Sequence, residues 1–343
     1  MRLMIDTAAG VRLRFTTTAE RIELTLAVHP LEIAPSGPLF PAFVDLVVDD
    51  RVIRSERVEG TPARLDVLTD TLLPMEPSPA QVVTFAGLPA GEKTAELWLP
   101  HTAVVDLYTV AADRPITPAP PDARPRWLHH GSSISHGMEA PRPTGTWPAV
   151  AAAAAGLDLL DLAYAGNAML DPFVAQAIRE ADADLISLKI GINLVNADAM
   201  RTRAFVPAVH GFLDTIREGH PSTPILLISP ISCPIVEDRP GPTGMGPDGI
   251  VKSLANNPIP PDALTLERIR RMLAAVVDDR RSSDANLTYL DGRALFDERD
   301  VDAGLLPDAL HPNEEGHRLM GERFADLLPS VAPPLRLPGP AHR

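Results

Sequence analysis

Apolar residues recur with two different periods along the chain, and the change of period divides it. Up to about residue 112 they alternate with polar ones in short runs, the pattern of strands with one buried face. Residues 11–15 and 21–28 alternate in this way, and 43–48 and 51–55 flank Asp49-Asp50, a pair suited to a tight hairpin turn. Residues 82–85 and 94–99, joined through Pro89-Ala90-Gly91, are further strand candidates. No helix of normal length fits here. The pattern predicts an all-β sandwich over residues 1–112.

Residues 113–125 carry five prolines. These exclude a helix interior or a central strand and predict a linker. From residue 126 strand-like runs alternate with helical ones. Strands are expected at 126–130, 157–163, 184–190, 224–229 and 287–290. Helices are expected at 147–155, closed by Gly156, at 171–181, opened by Asp171-Pro172, and at 202–217, 265–277 and 314–328. Five strand–helix units in series predict an α/β domain over residues 126–330, a parallel sheet with helices on both faces. Residues 331–343 are left as a C-terminal tail. Residues 233–262 break the rhythm, being rich in proline and glycine without periodicity. A loop this long in a compact domain is usually functional. Its place after the fourth strand puts it over the carboxyl edge of the sheet, as a pocket wall or lid.

Composition narrows the partners. Apolar residues make up 45% but aromatics only 4%, so the core must be mostly aliphatic. A net charge of −14 argues against nucleic acid and anionic membrane surfaces as partners. Cys233 is the single cysteine, which rules out a disulfide within the chain and suits a small buried apolar position. The N-terminal run MRLMIDTAAGVRLRF has neither an apolar core nor a cleavage site of a signal peptide. No run approaches the roughly 20 apolar residues that span a bilayer. The expected location is the cytoplasm.

In an open α/β sheet, ligands bind beyond the carboxyl ends of the strands. Strand one is followed by Gly131-Ser132-Ser133-Ile134-Ser135-His136-Gly137, strand two by Gly166-Asn167, and strand three by Gly191-Ile192-Asn193. After strand five comes Asp308-Ala309-Leu310-His311. A serine, a glycine amide, an asparagine amide and an Asp–His pair thus converge on one edge, the inventory of acyl transfer. Ser133 is the candidate nucleophile and His311 its base. Asp308, three residues before, would orient the imidazole and stabilise the imidazolium. The N–H groups of Ser133 and Gly166 and the side-chain amide of Asn193 are candidate oxyanion donors. His136 and Ser132 are weaker candidates to line the substrate pocket. Ser132 and Ser135 also have structural uses, one orienting the turn and the other capping a helix. His129 and His130 belong to the end of strand one. The spacing of these histidines matches no zinc pattern, so no metal and no organic cofactor is expected.

These segments resemble the sequence blocks of the SGNH (GDSL-type) hydrolases. Gly131 to Gly137 resembles the first block with Ser133 at the nucleophile position. Tyr164-Ala165-Gly166-Asn167 resembles the second, Gly191-Ile192-Asn193 the third, and Asp308 to His311 the DxxH block. The four occur in order across about residues 126–328. The resemblance implies a three-layer α/β/α sandwich with a flavodoxin-like five-stranded parallel sheet, and a carboxylic-ester hydrolase working through an acyl-enzyme. Two family positions differ: Ser132 and Leu194 stand where aspartates are usual, so substrate preference does not carry over. The expected partner is a small-molecule or carbohydrate ester. Two other readings stay open. The same site can pass its acyl group to an alcohol or amine as an acyltransferase. The N-terminal sandwich can bind carbohydrate, although Trp98 is its single tryptophan, or brace one wall of the active site.

Overall fold

The computed structural model describes residues 2–34, 37–66 and 71–331. Of the expected tail, residues 332–343 lie outside the described residues, and residue 331 ends the last helix.

A short helix α1 (Arg2–Asp6) precedes ten strands: β1 (Arg12–Thr17), β2 (Arg21–Ala34), β3 (Ala42–Val48), β4 (Arg51–Val58), β5 (Ala63–Asp66), β6 (Thr71–Leu72), β7 (Gln81–Ala86), β8 (Lys93–Trp98), β9 (Ala103–Ala112) and β10 (Ile116–Pro118). They form one sheet in the order β10-β1-β8-β3-β4 and another in the order β6-β5-β2-β7, with β9 also paired to β2. Ile22, Leu24, Leu26 and Phe85 of one sheet meet Val44, Leu46 and Leu97 of the other in a buried aliphatic core. Asp49 and Asp50 both adopt positive φ, 47° and 63°, the turn that twists a two-residue hairpin correctly.

Several features differ from the sequence-based expectation, the unexpected strands β5 and β6 among them. β9 was not predicted, because Ala-Val-Val-Asp-Leu-Tyr-Thr-Val-Ala-Ala has no alternation and leaves Leu107 and Tyr108 exposed. Part of the proline-rich stretch is also strand: β10 pairs with β1 through Phe15↔Pro118, Thr16↔Thr117 and Thr17↔Ile116. Proline is barred from central strands, but β10 lies at a sheet edge where a missing N–H costs nothing.

The second half contains β11 (Arg126–His130), α2 (Ser133–His136), α3 (Trp147–Ala155), β12 (Asp158–Asp161), α4 (Pro172–Glu180), β13 (Leu185–Lys189), α5 (Ile192–Asn196), α6 (Thr202–Gly219), β14 (Ile225–Ile228), β15 (Thr243–Met245), β16 (Val251–Ser253), α7 (Leu266–Arg280), β17 (Leu287–Leu290), α8 (Glu298–Asp302) and α9 (Glu314–Val331). Its sheet has the order β12-β11-β13-β14-β17, parallel throughout. The chain moves outward from β11 to β12 and then back across to β13. Right-handed crossovers in opposite directions place helices on opposite faces, and α3 packs with α9 while α4 packs with α6. The reversal falls between β11 and β13, so a crevice opens beyond the carboxyl end of β11. The expected aperiodic segment 233–262 contains an ordered hairpin of β15 and β16.

The halves are joined by buried polar bonds. The Arg12 guanidinium pairs with Asp158, donates to the Leu159 carbonyl at 2.8 Å and lies 4.8 Å from the Trp98 ring centroid. Asp45 of β3 accepts from the Thr144 hydroxyl at 2.6 Å and its N–H at 3.1 Å.

Candidate active site

Ser133 is the first residue of the single-turn helix that follows β11. His311 and Asp308 lie on the loop before α9. Asp308 Oδ2 stands 2.6 Å from His311 Nδ1, and a carboxylate only accepts, so Nδ1 carries the proton. His311 Nε2 is then the lone-pair nitrogen, 2.9 Å from Ser133 Oγ, whose hydroxyl donates to it. The other carboxylate oxygen of Asp308 accepts from the N–H groups of Leu310 (2.9 Å) and His311 (2.7 Å). Burial works to raise the Asp308 carboxyl. The hydrogen bond and charge of His311 and these backbone donors outweigh it, so Asp308 sits below the ordinary carboxylate range. The side chains of His311 and Asp308 are 18% and 16% exposed, enough to meet a ligand from solvent.

The expected oxyanion donors fall on neighbouring strand ends. Gly166 adopts φ 70°, and a Cβ there would meet nothing within 4 Å, so its conformation rather than crowding favours glycine. The N–H groups of Ser133 and Gly166 donate to no atom of the chain among the described residues. Asn193 spends its Oδ1 on the Ala168 N–H at 3.0 Å, which leaves its NH₂ without a partner among the described residues.

The two weaker candidates for the pocket lining, His136 and Ser132, are both buried. His136 Nε2 is bound to the His101 carbonyl at 2.7 Å. Ser132 occupies the N-cap position of α2 without a side-chain cap. Ser135 caps no helix either. Trp127 Nε1–H donates to Ser187 Oγ (2.8 Å), which is hydrogen-bonded to His129 Nδ1 (2.6 Å), and His129 Nε2 is hydrogen-bonded to Ser135 Oγ (2.8 Å). Burial above all holds His129 well below its ordinary range, consistent with this neutral relay.

Sequence reasoning missed Glu139. Its carboxylate, that of Asp308 and a ring nitrogen of His311 lie within 4.8 Å of one another. Glu139 makes no hydrogen bond or ion pair among the described residues, and burial raises its carboxyl above the usual range. No motif marked it; it is one glutamate in a loop rich in small residues. Cys233 is buried as expected, and its thiol lies 3.4 Å from the Ala309 carbonyl on the same loop. The hairpin of segment 233–262 also touches this loop: Val251 N–H donates to the Asp308 carbonyl at 2.8 Å. A groove of about 490 Å³ beside Arg12, Asp122 and Asp158 includes none of these residues, and Arg12 pairs there with Asp158.

The family model described as GDSL-like lipase/acylhydrolase matches residues 130–319, more than half of the chain. The chain belongs to this family. Among solved structures, it is similar to the salicylyl-acyltransferase SsfX3 from a tetracycline biosynthetic pathway, at 31% identity and TM-score 0.75, over 92% of this chain and 81% of that one. It also shares its fold with a family two carbohydrate esterase from Clostridium thermocellum in complex with cellohexaose, at 15% identity and TM-score 0.63, over 94% and 93% of the two chains. An acetyl xylan esterase from Butyrivibrio proteoclasticus follows at 11% identity and TM-score 0.56, over 92% and 89%. No curated protein matches the chain. The GDSL-type blocks thus belong to an α/β fold, as the resemblance implied, and a β-rich domain precedes it, as the alternation predicted. Among the described residues, no helix is long and apolar enough to cross a membrane.

Proposed function

We propose that this GDSL-family chain cleaves a carboxylic ester of a small molecule or sugar through an acyl-enzyme on Ser133. The observation that carries the proposal is the unbroken proton path Ser133 Oγ–His311 Nε2 (2.9 Å) and His311 Nδ1–Asp308 Oδ2 (2.6 Å). As Ser133 Oγ attacks the carbonyl carbon, its proton passes to His311 Nε2, and Asp308 stabilises the imidazolium. The unpartnered N–H groups of Ser133 and Gly166 and the Asn193 amide receive the oxyanion. Collapse expels the alcohol, which takes the proton from His311. Water then enters on the same base and releases the acid. Partial exposure of His311 and Asp308 supports water as the acceptor.

The similarity to an acyltransferase at 31% identity favours a second outcome, in which an alcohol or amine takes the acyl group. A carbohydrate-binding role for the β-rich domain has no such support. Trp98 is only 8% exposed, lies under Arg12 and donates its Nε1–H to Glu96. Turnover of p-nitrophenyl acetate by wild type and Ser133→Ala tests the site; undiminished turnover by the variant rejects it. Adding glycerol or an amine acceptor then separates the outcomes. Free acetate as the main product supports hydrolysis, and acetylated acceptor as the main product supports transfer.

A further inference from the structure

The turn that carries Ser133 is too short to hold itself. α2 has four residues, and a single helical turn fixes several dihedrals for very few hydrogen bonds. Its N-cap side chain makes no cap bond. Its end is set by Gly137 at φ 81°, whose N–H donates to the Ser133 carbonyl at 2.8 Å. A Cβ on Gly137 would stand 2.4 Å from Thr146 Cγ2, so the chain can pass here only as glycine.

Two fastenings hold this turn from outside. The inner one is the Trp127–Ser187–His129–Ser135 relay within the α/β half. The outer one comes from the β-rich half. His101, in the loop between β8 and β9, donates from Nε2 to the Gly137 carbonyl at 2.9 Å. In return His136, the last residue of α2, donates from Nε2 to the His101 carbonyl at 2.7 Å. Both carbonyls only accept, so each imidazole carries its proton on Nε2. Both rings are buried, at 1% and 0% exposure, and each leaves Nδ1 without a partner, as a neutral ring. Burial, the largest effect, and the neighbouring His136 push His101 down to about 3, so it stays neutral at any ordinary pH. The path from His101 to the nucleophile is therefore two hydrogen bonds long: His101 to the Gly137 carbonyl, and the Gly137 N–H to the Ser133 carbonyl.

We infer that His101 is a positioning residue for Ser133, through which the β-rich domain holds the nucleophile turn and becomes part of the catalytic unit. The inference rests on the reading of Ser133 as nucleophile. Ser133 supplies both the attacking oxygen and one oxyanion N–H from the same turn, so a small rotation of that turn misplaces both. A misplacement of about 1 Å can cost about a hundredfold in rate. Substrate binding, which depends on other surfaces, need not change.

The test uses the full chain with His101→Leu, which keeps bulk and removes the donor, and His101→Gln, whose amide N–H keeps a donor near the same place. The readouts are kcat and KM on p-nitrophenyl acetate and the rate at which a fluorophosphonate labels Ser133. The Leu variant should lose about tenfold or more in kcat and in labelling rate with KM within about twofold, and Gln should recover most of the loss. If His101→Leu does not fold, His101→Asn, too short to reach Gly137, should show the same loss. Wild-type kcat in a folded donor-less variant overturns the inference. So does a loss in which kcat and KM move together and Gln gives no rescue. Ser133→Ala in the same assay separates the two claims. If it turns over as wild type, the Ser133 reading fails. If it is inactive while His101→Leu is unaffected, the His101 inference alone fails.

Discussion

Ser133 sits on a turn whose other side chains are buried and which is hydrogen-bonded to both halves of the molecule, whereas Asp308 and His311 sit on a partly exposed loop bonded mostly to itself. The turn reaches His101, His129 and, through it, Ser187. The loop closes on its own backbone: Asp308 takes the N–H groups of Leu310 and His311, and Ala309 adopts φ 69° to allow it. Its links to the rest of the molecule include the Val251 N–H and the Cys233 thiol. The difference teaches where precision resides. In the proposed mechanism the base is placed by local geometry that four residues can encode, and the nucleophile by contacts that include one from the β-rich half.

The largest expected effect breaks the local side. Asp308→Asn keeps an oxygen for the two backbone donors but removes the charge and favours the wrong imidazole tautomer. It should lower kcat by about 10³–10⁴ with the fold intact, measured by steady-state ester turnover. Loss of less than about tenfold would mean that Asp308 is not the orienting carboxylate. Next, Asn193→Ala removes a donor on the nucleophile side of the crevice and should cost about 10²–10³ in kcat with little change in KM. An effect confined to KM would place Asn193 in substrate binding instead.

A third variant sharpens how deeply the nucleophile side is packed. Lys189, at the end of β13, is 1% exposed and its Nζ has no hydrogen-bond partner among the described residues. Burial first, with Arg270 adding to it and Cys233 opposing, lowers it to about 7. The unfolded chain keeps the ordinary value near 10.5. Below pH 7 the amine is charged in both states and the buried charge costs the fold its full penalty. Between about 7 and 10.5 folding releases a proton, so stability rises with pH. Lys189→Met should therefore stabilise the protein, by about 3 kcal/mol more at pH 6 than at pH 9 in denaturant titrations. An equal gain at both pH values would contradict a neutral buried amine. The smallest effect belongs to the loop's outside contact. Val251→Pro removes the N–H that meets the Asp308 carbonyl and should lower kcat by about threefold, because the loop's own bonds remain. A hundredfold loss would show that the hairpin, not the loop, positions His311.

The same contrast explains what could be read from the sequence. Asp308 and His311 lie three residues apart, and the blocks around Ser133, Gly166 and Asn193 each follow a strand whose period or apolar run is visible locally. The parallel sheet was legible for the same reason. His101 was not, because it is 36 residues from Gly137 and stands in an ordinary Pro-His-Thr loop. The bond of His136 to the His101 carbonyl was not legible either, because closeness in sequence to Ser133 says nothing about which way a helical side chain points. His136 faces the β-rich half and is buried there. β10 was read as linker because prolines exclude a central strand but not an edge.

The central claim is that Ser133 carries the acyl group. Rapid acid quenching of the protein with p-nitrophenyl acetate, followed by peptide mass mapping, tests it directly. One acetyl group is expected on the peptide that contains Ser133, lost on further incubation and absent from Ser133→Ala. Turnover with no acetyl on that peptide, or with the acetyl on another residue, would contradict it.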